Sequence, residues 1–492
     1  MCGVIGFIDP HAEEYSCGEL VHKGLGALQH RGQDAAGIIS SQLKNGRFSE
    51  RKGPGFIRDV FDSEDLKKLN GQMALGHNRY TTVGTQSFKN IPPFQTEDNS
   101  INMALVHNGN IVNFFNLAEE EGLKLRGEND GELILELFNK RYCELLKEML
   151  IDKKNVDFSF IKKVVQNLSG KIEGGYVFLI MIEGVGLVAF RDLLGIRSLV
   201  MGKKGKSYSF SSETVGLDSM GHKFLRAISP GEIIFINEEG HLFNEVLNKD
   251  FEFAPCMFEW VYFSSPKSQI MEEQVKGKRI DFGKTLGRKI RKSRGSELGI
   301  DIICPVPETG QDAALGAAKI LGLTMAMGIK KVQNSGRTFI LSSNDRSDAL
   351  RKKFIVDEKT VKGKSLLLVD DSLVRGNTLK ALIKELYSCG AKELTFAFSC
   401  PPVKHGCYYG VDFPDKNELL ANNKTIEEMA SLLEVRELFF LTEKELSEDL
   451  GKMSHCLACV NGKYPTELGF CHHFVNERRK QRHLNEVREL SF

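Results

Sequence analysis

Residues 366–378 read LLLVDDSLVRGNT. Four apolar residues, Leu366–Val369, run into two carboxylates, Asp370 and Asp371, and then into a Ser/Arg/Gly/Asn/Thr loop that opens the helical pattern Leu379–Leu386. A continuous apolar run bounded in this way reads as a strand buried on both faces, which is parallel-sheet behaviour. In open α/β sheets ligands bind beyond the carboxyl ends of the strands. Gly376 lets the backbone approach a phosphate, Ser372 and Thr378 offer hydroxyls, and the N–H groups that start the next helix favour an anion. The two carboxylates would repel that anion, so they face something else, such as ribose hydroxyls or Mg²⁺. A lone DD pair after a strand is usually a solvated turn; the thirteen-residue run gives this one its weight. It does not match the GxxxxGK[ST] nucleotide loop.

The sequence around this run has the same texture. Ile300–Pro305 and Glu393–Phe398 are further apolar strand candidates, and Ala313–Leu321 has helical spacing. Strands alternating with helices indicate a parallel α/β sheet. The first half differs. Val4–Ile8, Ala74–His77, Met103–His107, Tyr176–Ile182 and Leu187–Phe190 read as short strands, and Gly18–Leu28 and Gly131–Leu146 as helices, which suits a layered α+β domain. The charged stretch Glu245–Phe253 looks like a linker. The expected organisation is a domain over 2–250, a second over 251–470, and a charged, helical tail over 471–492.

Composition narrows the function classes. The 492 residues carry 66 Lys+Arg against 65 Asp+Glu, a formal charge of +1. Proteins that grip nucleic acid or anionic membranes usually show a large basic excess, so neither is an expected partner. The longest apolar stretch, Tyr176–Phe190, is interrupted by Glu183, Gly184 and Gly186 and is too short for a membrane span. No targeting segment is recognisable at MCGVIGFIDP, and a cytoplasmic protein is expected. Eleven cysteines is an odd count in a long chain, which argues against a disulfide framework. The cysteines read as thiols, a metal centre, a nucleophile, or a mixture.

Cys2 directly follows the initiator methionine. Removal of Met1 would leave an α-amine able to act as base for the Cys2 thiol. Alone, Cys2 is an unremarkable small residue near a strand start. Its company is HRGQDAAG at 30–37, HNRYTTVG at 77–84, HNGNIVN at 107–113 and NDGE at 129–132, all polar and glycine-rich. Arg79 suits a substrate carboxylate through its two-pronged guanidinium. Asp130 suits a substrate ammonium. Asn108 and the N–H of Gly109 suit an oxyanion hole.

In these motifs the first half resembles class II, N-terminal-nucleophile glutamine amidotransferase domains. The resemblance implies a four-layer αββα fold that releases ammonia from glutamine. It implies Cys2 as nucleophile, Asn108 and Gly109 as oxyanion hole, Arg79 and Asp130 as binders of the glutamine carboxylate and amine, and Arg31 as a further glutamine-positioning residue. LLLVDDSLVRGNT resembles the signature of type I phosphoribosyltransferases. That implies ribose hydroxyls and Mg²⁺ on Asp370 and Asp371, with Ser372, Arg375, Gly376, Asn377 and Thr378 wrapping the 5′-phosphate.

Together the halves resemble the glutamine phosphoribosylpyrophosphate amidotransferase family, with further marks in FRDLLGIRSL, SSETVGLD, SPGE, CMFEWVYF, PVPET, SGRTFI and GKYPTE. The implied reaction makes 5-phosphoribosylamine from phosphoribosyl pyrophosphate and glutamine-derived ammonia, the first committed step of purine synthesis, in a homo-oligomer that in this family tends to a tetramer. Two rivals are a paralogue with a different phosphoribosyl acceptor and a regulator that binds phosphoribosyl pyrophosphate without turnover.

Cys456-x-x-Cys459 by itself suits a redox pair, a zinc half-site or an iron–sulfur half-site. A subgroup of the family holds a [4Fe–4S] cluster through one cysteine before FEW, one before YG and a CxxC, and the resemblance carries this to Cys256, Cys407, Cys456 and Cys459. Four thiolates also suit zinc, which spacing leaves open. The remaining cysteines, Cys400 among them, read as core or surface thiols. The chain departs from the family pattern at Gln333 and Asn334, which replace an Arg-Tyr pair on the loop that closes over the acceptor, and at Pro92, Ser198, Lys267 and Gly310.

Overall fold

The computed structural model describes residues 1–12, 17–43, 47–81, 87–96, 101–152, 155–247, 252–332, 354–413, 415–451, 453–467, 469, 473–477 and 480. Gln333, Asn334 and most of the expected tail lie outside these, as does part of the expected linker, 248–251; residues 473–477 are helical.

The first half is built on two antiparallel sheets. Strands β1 (Gly3–Ile8), β2 (Ala35–Ser41), β3 (Phe48–Pro54), β4 (Met73–Arg79), β9 (Val200–Lys204), β10 (Ser207–Ser211) and β11 (Lys223–Ala227) form one, in the order β11-β9-β10-β1-β4-β2-β3. Strands β5 (Phe94–Gln95), β6 (Met103–Ile111), β7 (Gly174–Ile182), β8 (Gly186–Arg191), β12 (Glu232–Asn237) and β13 (Leu242–Val246) form the other, in the order β13-β12-β8-β7-β6-β5.

The period-2 alternation of strand side chains sorts the residues into layers. On β7, Val177, Leu179 and Met181 face the first sheet, where they meet Val4, Ile8 and Leu75. The intervening Tyr176, Phe178, Ile180 and Ile182 pack under the helices Asp130–Met149 and Phe158–Ser169. On the opposite side Ile5, Phe7 and Ile38 pack under the helix Cys17–Ala27. The result is the expected four layers, helix–sheet–sheet–helix. Both faces of the central strands are buried, which is why they read as unbroken apolar runs rather than as alternating ones.

The second half contains a parallel sheet in the order Ile302–Pro305, Ser365–Asp370, Glu393–Phe398, Glu437–Phe440. One face, with Ile303, Leu367, Val369 and Ala397, packs on the helices Val275–Arg294 and Gly310–Leu321. The other, with Leu366, Leu368, Phe396 and Phe398, packs on Asn377–Ser388. The first two helices cross at glycine contacts. A Cβ on Gly283 would stand 1.9 Å from the Ala313 carbonyl oxygen, and one on Gly316 2.0 Å from that of Ile280. An antiparallel ribbon, Ile329–Lys331 with Phe354–Val356, flanks residues 333–353. Among the described residues no helix is long and apolar enough to cross a membrane.

Candidate active sites

The start of β1, the end of β4, the second half of β6 and the start of the helix Asp130–Met149 converge on one cleft. Its lining includes Cys2, His77, Arg79, Tyr80, Gly109 and Asp130. Asn108 joins them through its side chain, whose Oδ1 accepts from the Cys2 nitrogen at 3.1 Å. Cys2, Asn108, Gly109, Arg79 and Asp130, far apart in the sequence, are therefore neighbours.

Each is held by its local structure. Asp130 sits in the first turn of its helix, behind the N-cap Asn129, and accepts the Ile111 N–H on Oδ2 at 3.0 Å. Gly109 lies at φ +145°, where a Cβ would stand 2.1 Å from the Gly175 carbonyl oxygen, so only glycine fits. The Asn108 Nδ2 is buried and has no hydrogen-bond partner among the described residues. A buried donor of this kind costs stability unless an acceptor arrives, which fits an oxyanion hole waiting for its oxyanion.

Burial pushes the Cys2 thiol above its ordinary pKa, while the terminal amine, the Tyr80 backbone and Arg79 pull it back. The Tyr80 N–H donates to Cys2 Sγ at 3.4 Å. Tyr80 went unassigned in the sequence although NRY was recognised, because its contribution is a backbone group. His77 donates through Nε2 to the His107 carbonyl at 2.9 Å. Burial takes both His77 and His107 down to about 3, so both rings are neutral near pH 7. With Met1 in place the Cys2 nitrogen is an amide. The amine is then that of Met1, lowered to about 5 by burial.

Arg31 departs from expectation. It does not line the cleft. It is 1 % exposed and lies behind Cys2, with Nε donating to the Cys2 carbonyl at 3.0 Å and both terminal nitrogens bound to Glu213 and Glu259. Neither glutamate was assigned a role in the sequence, although each lies in a motif noted there, SSETVGLD and CMFEWVYF. The partner identity comes only from the fold.

In the second half, Asp370 ends its strand and Asp371 begins the loop, as read from the sequence. Burial raises the pKa of both, and for Asp370 the Asp371 charge adds to it. Ser372 and Thr309 hydroxyls donate to Asp371. Two crowded carboxylates at the mouth of a loop suit a divalent cation by the chemistry of the donor set. Gly376 takes φ +79° and Asn377 begins the following helix, leaving that helix's first N–H groups at the loop. Arg375 points elsewhere. Its guanidinium is held by Glu418, at 3.0 Å from Nε, and by the Asp412 carbonyl, so here it braces the loop and does not line it.

The four cysteines arrive from three segments. Cys256 and Cys456 pair as a short parallel bridge, with the Cys456 N–H donating to Pro255 at 2.9 Å. The Cys459 carbonyl accepts from Lys404 and His405, which ties the CxxC to the segment leading to Cys407. Cys256, Cys407 and Cys459 are buried in one apolar cluster, with Cys456 packed against it. Burial pushes Cys459 well above the usual thiol range, and charge on the other three and on Cys400 would raise it further. Cys400, which by sequence reads as a core or surface thiol, is buried in the same cluster, close enough to Cys256 and Cys459 for their charges to interact. Among the described residues no three His, Cys, Asp or Glu side chains are gathered to hold a single metal ion.

Comparison with known proteins follows this division. Residues 77–219 match the glutamine amidotransferase domain family and residues 281–432 the phosphoribosyl transferase domain family. Amidophosphoribosyltransferase of Haemophilus influenzae is 37% identical over 460 residues, 92% of this chain and 89% of the relative. The chain belongs to the amidophosphoribosyltransferase family. The amidophosphoribosyltransferase of Methanocaldococcus jannaschii is 35% identical, covering 96% of this chain and 98% of its own. The solved B. subtilis glutamine phosphoribosylpyrophosphate amidotransferase, complexed with ADP and GMP, superposes with a TM-score of 0.82 at 32% identity, covering 95% of this chain and 98% of that one. An enzyme of this family, with a glutaminase half and a phosphoribosyltransferase half, is what the two folds and the two sites describe.

Proposed function

We propose that this chain converts phosphoribosyl pyrophosphate and glutamine to 5-phosphoribosylamine, glutamate and pyrophosphate, the opening step of purine synthesis, as a cytoplasmic homo-oligomer. The observation that carries the reading is the convergence of Cys2, Arg79, Asn108, Gly109 and Asp130 on one cleft of a chain that also carries the Asp370–Thr378 loop. The domain limits proposed are 2–250 for the glutaminase, 251–470 for the acceptor domain, and 471–492 for the tail.

The chemistry follows from the positions. Glutamine binds with its carboxylate on Arg79 and its ammonium on Asp130. With Met1 removed, the Cys2 amine takes the thiol proton and the thiolate attacks the carboxamide carbon. The developing oxyanion is held by Asn108 Nδ2 and the Gly109 N–H. Collapse expels ammonia, which takes up the transferred proton as the C–N bond breaks. Water then cleaves the γ-glutamyl thioester to glutamate and restores Cys2. Phosphoribosyl pyrophosphate binds with its 5′-phosphate on the loop from Ser372 to Thr378. Asp370 and Asp371 would hold Mg²⁺, which when bound offsets charge on the pyrophosphate leaving group. Ammonia attacks the anomeric carbon and pyrophosphate departs. Ammonia released into water would be protonated and lost as a nucleophile, so the path between the sites must exclude water.

Cys256, Cys407, Cys456 and Cys459 would hold a [4Fe–4S] cluster, which supplies structural cross-linking of three segments and no redox step. Their shared apolar surroundings support this. Protein purified anaerobically should be brown with about four irons per chain; colourless protein with one zinc contradicts the assignment. Replacing Cys2 by Ala should abolish glutamine use and keep synthesis from high ammonia. Loss of both activities contradicts Cys2 as the nucleophile.

A further inference from the structure

Behind the glutaminase cleft lies a buried network that the chemistry above does not use. Arg31 donates through Nη1 to Glu213 Oε1 at 2.7 Å, and grips Glu259 with both terminal nitrogens, Nη1 to Oε2 at 3.0 Å and Nη2 to Oε1 at 2.9 Å. Its Nε holds the Cys2 carbonyl at 3.0 Å. Glu213 also accepts from His30 at 2.8 Å, from the Ser265 N–H at 2.8 Å and from the Ser268 hydroxyl at 2.6 Å. Glu259 accepts the Ser264 hydroxyl at 2.9 Å.

Arg31 and Glu213 belong to the glutaminase half. Glu259, Ser264, Ser265 and Ser268 belong to the segment that opens the acceptor half. That segment is fixed from its other side by buried Arg279, which donates to the Trp260 carbonyl at 2.8 Å and the Ser264 carbonyl at 2.8 Å. Burial disfavours the Arg279 charge, and Asp371 of the acidic pair is the first of the charges that support it. A continuous chain of polar contacts therefore runs from the Cys2 backbone through Arg31, Glu259 and the Trp260–Ser264 backbone to Arg279.

A buried ion pair is weak evidence for stability, because desolvation cancels much of the attraction. What the bidentate geometry does supply is orientation. We propose that Arg31 and Glu259 are positioning residues for the nucleophile: the acceptor half, through Glu259, fixes Arg31, and Arg31 fixes the carbonyl, and with it the Sγ direction, of Cys2. Arg31 serves the reaction from behind the nucleophile and not as a glutamine ligand. This rests on the reading of Cys2 as nucleophile, which the Cys2→Ala variant tests separately.

The test is Glu259→Gln in the full chain, measured three ways: glutamine-dependent synthesis, ammonia-dependent synthesis, and the rate of Cys2 alkylation by iodoacetamide. Misplacement of a reacting group by about 1 Å can cost about a hundredfold. The expected result is a fall of about tenfold or more in glutamine-dependent kcat and a slowed alkylation, with KM for glutamine and the ammonia-dependent rate both within about twofold. An unchanged kcat for glutamine overturns the proposal. So does a parallel fall of the glutamine and ammonia activities, the signature of a merely structural pair. If Glu259→Gln does not fold, Ser264→Ala removes one hydrogen bond from the same carboxylate and should show a smaller loss with the same selectivity. A Ser264→Ala enzyme with wild-type kcat for glutamine and wild-type alkylation would equally overturn it.

Discussion

The Cys2 nitrogen donates to Asn108 Oδ1 at 3.1 Å, while the Asn108 Nδ2 is buried without a partner among the described residues. One amide thus orients the Cys2 backbone and presents a donor to the cleft. Asn108→Ala removes both. Glutamine-dependent turnover should fall by about 10²–10³, the cost of one oxyanion-hole donor, and ammonia-dependent turnover should stay near wild type. Steady-state assays with each nitrogen source check this.

The acidic pair should be separable from the glutaminase. Asp371→Asn leaves the cleft around Cys2 untouched but removes a carboxylate that two hydroxyls, from Ser372 and Thr309, orient. Synthesis from glutamine and from ammonia should fall together, with weaker binding of phosphoribosyl pyrophosphate. Basal glutamate release, measured without the acceptor, should persist. Titration calorimetry with Mg²⁺ and phosphoribosyl pyrophosphate measures the binding loss.

Two buried neutral histidines predict an acid-labile fold. The pKa of His77 and of His107 is lowered from 6.5 to about 3 by burial. Between those values the unfolded chain binds protons that the folded chain does not, so stability rises with pH and is lost as pH falls below about 6.5. Each ring contributes a slope of up to about 1.4 kcal/mol per pH unit. In His77→Asn the slope of unfolding free energy between pH 4 and pH 6 should drop by one ring's contribution, up to about 1.4 kcal/mol per pH unit. Urea unfolding across this range measures it; an unchanged slope would show that His77 is not buried neutral.

The four-layer packing has its own test at Leu179, which is fully buried between the two sheets. Leu179→Ala should cost about 2–5 kcal/mol in unfolding free energy, the usual loss for a large-to-small change in a packed core. Chemical denaturation measures it. The turnover of the molecules that remain folded should be little changed.

Much of this was legible from the sequence because local signals and tertiary demands coincide. The runs at Tyr176–Ile182 and Leu366–Val369 are apolar throughout because both faces of each strand are buried, and each forms a strand in the fold. Cys2, Arg79, Asn108, Gly109 and Asp130 sit in polar, glycine-rich motifs, and the structure collects them. Arg31, Arg375 and Cys400 were read less well. A guanidinium in a motif looks the same whether it faces substrate, as expected for Arg31, or two glutamates contributed by distant segments. Arg375 has its partner Glu418 forty-three residues away. Cys400 shares the apolar cluster of Cys256, Cys407 and Cys459 because the chain enters it two residues after the strand Glu393–Phe398. Such partners are set by the packing of whole elements, which spacing along the chain does not encode.

The most direct test of the central claim is a single anaerobic assay that follows glutamate and pyrophosphate together, with and without phosphoribosyl pyrophosphate. Two coupled sites predict that the acceptor stimulates glutamate release and that one pyrophosphate appears for each glutamate. Glutamate release that ignores the acceptor, or proceeds with no pyrophosphate formed, would contradict the account.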